Sequence, residues 1–203
     1  MEYEALTADD LANVRELNQA WLELPGSEEP VPLTGQRRAR LAEAPFLLFS
    51  LQPGDEALWH GLLANESQHD LFRRNRPVNG AKRDLQTDGL AFLWALARRN
   101  PYAARLVTGA PHRWCERIAA RTLVRVQACA RAVDLAVPLL SVESPLNRRL
   151  FTHGCSAVRE KRIAAQLAVL QALLTVRHGT GQQRLQAAAC RMPAPRRRVA
   201  DKL

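Results

Sequence analysis

Lysine is almost missing from this 203-residue chain. It occurs only at Lys82, Lys161 and Lys202, and arginine supplies the rest of the 29 basic residues. Aromatic residues are sparse as well, at 5 %. The longest nearly apolar run, Ile163 to Leu174, carries Gln166 and Gln171 and falls short of the roughly 20 residues a membrane-spanning helix needs. The stretch Met1 to Asp10 is acidic, with no basic region leading into an apolar run, so no secretory leader is expected. Cys115, Cys129, Cys155 and Cys190 form no CxxC pair. Most of them sit in apolar helical settings, where cysteine acts as a small hydrophobe, and a reducing cytoplasm is the expected home.

Signatures of catalysis are absent too. There is no P-loop, GxGxxG or GxSxG. His60, His69, His112, His153 and His178 are isolated, and His153 with Cys155 lacks the further convergent ligands a metal would need. Asp9-Asp10 suits a helix start and Glu28-Glu29 a loop. The expectation is a non-enzymatic protein without metal or cofactor. No β-hairpin signal and no internal repeat appear.

The apolar fraction of 47 % allows a core, and 24 % charged residues excludes neither folding nor solubility. Charge, however, is distributed unevenly. Residues 1–70 hold four basic and thirteen acidic residues, net −9, whereas 71–203 hold twenty-five basic and seven acidic, net +18. Such polarity fits either nucleic-acid contact or an acidic part that folds back on a basic one.

Periodicity and caps predict an all-α, compact multi-helix bundle over 1–179, followed by a basic flexible tail at 180–203. Thr7 caps a helix carrying Leu11, Val14, Leu17, Trp21 and Leu24, which Pro25-Gly26 stops. Thr34 caps a short helix to Ala44. The apolar run Phe46 to Leu51 fits a strand or a helical turn, and its neighbours favour helix. Asp55 caps a helix through Leu63, residues 65–86 read as a surface loop, and Thr87 caps a helix to Arg99. Asn100-Pro101 restarts the chain as cap and first helical residue. Gly109 ends that helix; others cover 111–121, Thr122 to Val133, Pro145 to His153 and Ser156 to Arg177. Trp21, Trp59, Trp94 and Trp114 fall on four different helices and read as core anchors.

The segment Pro101 to Val133 has the outline of a helix-turn-helix. Ala104, Gly109, Ala110, Cys115 and Ile118 suit its buried positions; Arg105 occupies a slot that a small residue usually fills. An unbroken second helix lines up Arg113, Arg117 and Arg121 at i, i+4 and i+8. His112 and Arg113 then stand at its leading end, where a recognition helix meets base edges. An ordinary helical hairpin with a solvated arginine face is the alternative. Arg148, Arg149, Arg159, Lys161 and Arg162 form a second basic cluster, against the dipole of the last helix. Arg196, Arg197 and Arg198 add phosphate affinity if the tail reaches a duplex. In the last helix Ile163, Leu167, Leu170 and Leu174 form an a/d-like row, read as core with a dimer seam as the alternative.

The stretch 105–140 resembles the central part of the FlhD flagellar transcriptional regulator family. Arg105-Leu106, the glycine turn at Gly109, the amphipathic helix that follows and the Leu123 to Ala130 helix leading into an apolar stretch carry the likeness. More generally the chain is similar to helical proteins of GC-rich proteobacteria. The FlhD resemblance implies a helical, dimeric transcription regulator.

The expected function is a DNA-binding transcriptional regulatory protein, contacting double-stranded DNA through His112, Arg113, Arg117, Arg121, Arg148, Arg149, Arg196, Arg197 and Arg198. The alternative is a helical adaptor that docks a protein partner, or its own twin through the 156–177 helix, with no membrane involved. Deleting residues 180–203 is expected to leave the melting temperature nearly unchanged; a large drop in thermal denaturation would show that the tail is packed.

Overall fold

The computed structural model describes residues 4–25, 30–64 and 80–175. Residues 65–79 of the expected loop and the tail with Arg196, Arg197 and Arg198 lie outside the described residues. Along the described chain run α1 (Ala8–Glu23), α2 (Gly35–Ala42), β1 (Phe49–Ser50), α3 (Glu56–Ala64), α4 (Gly80–Arg99) and α5 (Pro101–Thr108). Then come α6 (His112–Ala119), α7 (Leu123–Ala132), β2 (Val137–Pro138), α8 (Pro145–His153) and α9 (Arg159–Thr175). The fold is all-α, with one small antiparallel pair in which Phe49 faces Pro138 and Ser50 faces Val137.

Local chemistry explains the helix starts. The Thr7 hydroxyl accepts from the Asp10 backbone N–H at 3.1 Å, and the Asp10 carboxylate accepts the Thr7 backbone N–H at 3.0 Å. This closes a capping box with aspartate in place of the usual glutamate. Asn100 accepts from the Tyr102 and Ala103 N–H groups at the head of α5, with Pro101 in the first turn where its missing donor costs nothing. Gly109, at φ +68°, ends α5 in the left-handed conformation that glycine adopts without strain.

Helix α4 is the central post, packed against α1, α5, α6 and α7. It starts at Gly80, eight residues before the expected Asp88. Thr87, read from sequence as the cap, lies within the helix and donates its hydroxyl back to the Arg83 carbonyl at 2.8 Å. The added turns carry Leu85 and Gln86 into the core.

Residues 46–51 are not helical: Phe49 and Ser50 form β1, and the rest of the run is bends and irregular backbone. Their backbone is held by Asn18, a fully buried residue of α1. Its amide donates to the carbonyls of Ala42 (3.3 Å), Ala44 (3.4 Å) and Phe46 (2.9 Å), and its oxygen accepts from the Leu48 N–H at 2.8 Å. Gln86, equally buried on α4, does the same for the other non-helical segment. It donates to the carbonyls of Ala130 and Val133 and accepts from the N–H groups of Leu135 (3.0 Å) and Ala136 (3.3 Å). Just past β1, Gln52 takes up φ 53° and donates to the Leu135 carbonyl at 3.0 Å. The Trp59 indole in turn donates to the Leu51 and Gln52 carbonyls at 3.3 and 3.0 Å. Two-residue strands supply few ladder bonds, so side chains satisfy the buried backbone that a longer sheet would.

In α9 the buried residues are Ala165, Gln166 and Val169, with Leu170 and Leu173 partly covered. Of the a/d-like row expected to face the core, Leu170 packs against it, whereas Ile163 is 40 % exposed, Leu167 58 % and Leu174 37 %.

Replacing Gln86 by leucine keeps roughly the volume but leaves buried backbone groups without partners. At about 1–3 kcal/mol for an unsatisfied group, the variant is expected to lose on the order of 3 kcal/mol in urea denaturation. A loss below about 0.5 kcal/mol, the scale of an ordinary surface substitution, contradicts this role.

Candidate nucleic-acid interface

The α5–turn–α6 hairpin forms as its sequence suggests, and Ala104, Gly109, Ala110, Cys115 and Ile118 are all buried. Its turn is closed from outside by α9: a Cβ on Gly109 would meet the Leu173 Cβ at 3.0 Å. Arg105, in the slot usually held by a small residue, is half-buried and donates to the Leu174 carbonyl at 3.3 Å.

Helix α6 turns Trp114, Cys115 and Ile118 inward, which leaves Arg113 exposed and Arg117 half-buried along one flank. The expected arginine row breaks after that. The helix ends at Ala119, and Arg121 sits in the turn before Thr122, whose hydroxyl caps α7 by accepting the Arg125 N–H at 3.3 Å. Arg125 does not extend the row: its guanidinium approaches the Leu62 and Leu63 carbonyls at the end of α3, at 3.4 and 3.5 Å.

His112 is committed within the protein. Its ring stacks on Tyr102, with centroids 4.5 Å apart, and Nε2 lies 3.4 Å from the Glu116 carboxylate. Arg148 and Arg149 are exposed on α8, whose main packing partner is α9, so they belong to a second basic group on the α8–α9 hairpin.

One feature of the basic surface has no counterpart in the sequence expectations. Trp94 of α4 is only half-buried, unlike Trp21, Trp59 and Trp114. Its indole N–H donates to the Arg121 carbonyl at 2.7 Å, and the Arg98 guanidinium lies over its ring at 4.9 Å. Trp94 thereby brings Arg98 and the backbone of Arg121 together at one end of the α4–α7 pair, next to the α6 that carries Arg117. The i, i+4 spacing of Trp94 and Arg98 was the available signal, obscured because an indole in a helical repeat reads first as core.

Ion pairing leaves this group out. Arg99 takes the acidic partners, with Asp10 at 2.5 Å and Glu4 at 3.7 Å. Among the described residues no ion pair engages Arg98, Arg113, Arg117 or Arg121. Burial pushes the Cys115 thiol up to about 12 and raises that of Cys129 as well. Among the described residues no three His, Cys, Asp or Glu side chains converge to hold a metal, and no helix is long and apolar enough to cross a membrane.

Compared with protein-family models, curated proteins and solved structures, the chain matches none.

Burial alone would raise the Asp10 carboxyl, but the Thr7 hydrogen bonds and the Arg99 guanidinium outweigh it and hold the group below the ordinary aspartate value of 3.8. A depressed carboxylate contributes stability that is complete above the ordinary value and is lost as pH falls through the lowered one. Asp88 shifts the opposite way, raised by burial and by neighbouring Asp84, so the Asp10 part is read as a difference between variants. In thermal melts from pH 6 down to about 2, a span that covers the aspartate range, Asp10→Asn is expected to be less stable than wild type at the upper end. The gap should narrow towards the lower end. A gap that stays constant with pH removes the ionic contribution.

Proposed function

We propose that this chain is a DNA-binding transcriptional regulatory protein that meets duplex DNA through Arg113 and Arg117 on the flank of α6 and Arg121 in the turn that follows it. The observation that carries the reading is a set of arginines that, among the described residues, enter no ion pair, within a stretch of net charge +18. Among the described residues, the ion pairs between the acidic N-terminal third and the basic part are made at Arg99. Arg148 and Arg149, exposed on α8, extend the phosphate contacts from a second element. The resemblance of residues 105–140 to the FlhD family leans the same way.

A second reading is a helical adaptor that docks a protein partner or a second copy of the chain. The exposed row of Ile163, Leu167 and Leu174 on α9 favours it, because those positions contribute little to the chain's own core.

Fluorescence anisotropy with random-sequence duplex across a salt series separates the two. The DNA reading expects log affinity to fall linearly with log salt. Arg117→Glu is expected to weaken binding at low salt by about tenfold or more, with the melting temperature unchanged. Unaltered affinity rules out this flank, and no binding of the wild type at low salt leaves the adaptor reading.

A further inference from the structure

The reach of the basic surface beyond the hairpin has a structural basis in Trp94. Its indole N–H fixes the backbone of the α6–α7 turn at Arg121, and its ring face holds the Arg98 guanidinium. Stacking of this kind keeps a guanidinium planar and oriented while leaving its N–H edges open to an anion. Arg98 and Arg121 are both exposed, and neither enters an ion pair among the described residues. One guanidinium held over an indole, beside an exposed arginine whose backbone the same indole fixes, suits a tetrahedral oxyanion better than a flat base edge.

The leading end of α6 is poorly placed to read bases. His112, the first residue of that helix, is stacked on Tyr102 and paired with Glu116. Arg121, which a continuous helix would align with Arg113 and Arg117, is carried off into the turn. Contacts from turns and helix flanks position a duplex, whereas sequence is read by side chains that reach into a groove.

We propose that Arg98 and Arg121, organised by Trp94 and flanked by Arg117, form a seat for a backbone phosphate of duplex DNA, contributing affinity independent of sequence. The seat rests on the DNA-binding reading and adds to it a residue of α4, outside the hairpin. Trp94 acts as a positioning residue, while the arginines make the contact.

The test combines two readouts on the full chain. Arg98→Gln is compared with Arg15→Gln, which removes the same charge from an exposed position on α1. Arg98→Gln is expected to weaken binding of random-sequence duplex about three- to tenfold, and by the same factor on unrelated sequences. It should also make the slope of log affinity against log salt shallower by about 0.9, the value of one phosphate contact. Arg15→Gln should change neither by a comparable amount. In 1H–15N spectra the Trp94 indole resonance, assigned by its loss in Trp94→Phe, is expected to shift as duplex is added, while that of buried Trp59 stays in place. Binding with an unmoved Trp94 resonance, or with an Arg98→Gln slope equal to wild type, overturns the seat and leaves the broader reading standing. A wild-type chain that binds no duplex at low salt overturns both.

Discussion

Two buried carboxamides, Asn18 and Gln86, determine how this helical protein accommodates segments that are not helical. A non-helical backbone that runs through a core must find partners for every N–H and C=O, and an unpaired group costs about as much as several ordinary contacts contribute. The β1–β2 pair is too short to supply them. Asn18 binds residues 42–48 from α1 and Gln86 binds residues 130–136 from α4, each acting as both donor and acceptor. The two segments so held lead directly into β1 and β2. Replacing either amide by a purely apolar side chain keeps the burial and discards the bonds that hold the backbone there.

The same arrangement frames the basic surface. Gln86 grips the C-terminal end of α7 through the Ala130 carbonyl, and Trp94 grips its N-terminal side through the Arg121 carbonyl. Two side chains of α4, eight residues apart, thus tie down both the last turns of α7 and the turn that precedes it. Asp10 and Glu4 reach Arg99 near the end of α4, and Arg121 in the turn is left exposed.

Much of this was legible in the residues, because helix ends are local. Thr7 with Asp10, Asn100 with Pro101, and Gly109 mark their boundaries through bonds spanning only a few positions. What escaped was set by distant partners. Residues 80–87 look like a polar loop, since only Leu85 and Gln86 turn inward and the glutamine's partners lie more than forty positions away. The run from Phe46 to Phe49 is buried on successive positions, so it has no periodicity to tell strand from helix. In the candidate site, spacing was enough to place Arg113 and Arg117 on one flank of α6. The break at Thr122, itself a visible cap residue, moved Arg121 off the row, and the Trp94–Arg98 pair was hidden by the usual role of tryptophan. On α9 most of the more regular apolar row is exposed, while the core takes the side with Ala165, Gln166 and Val169.

The claim that these amides hold the non-helical segments is tested most directly by hydrogen exchange at single backbone amides. Leu48, Leu135 and Ala136 donate to side-chain oxygens and not to a regular ladder. The account predicts that all three exchange as slowly as amides in the middle of α4, opening only with global unfolding. Exchange of these amides at the rate of exposed loops, with α4 still protected, would contradict it.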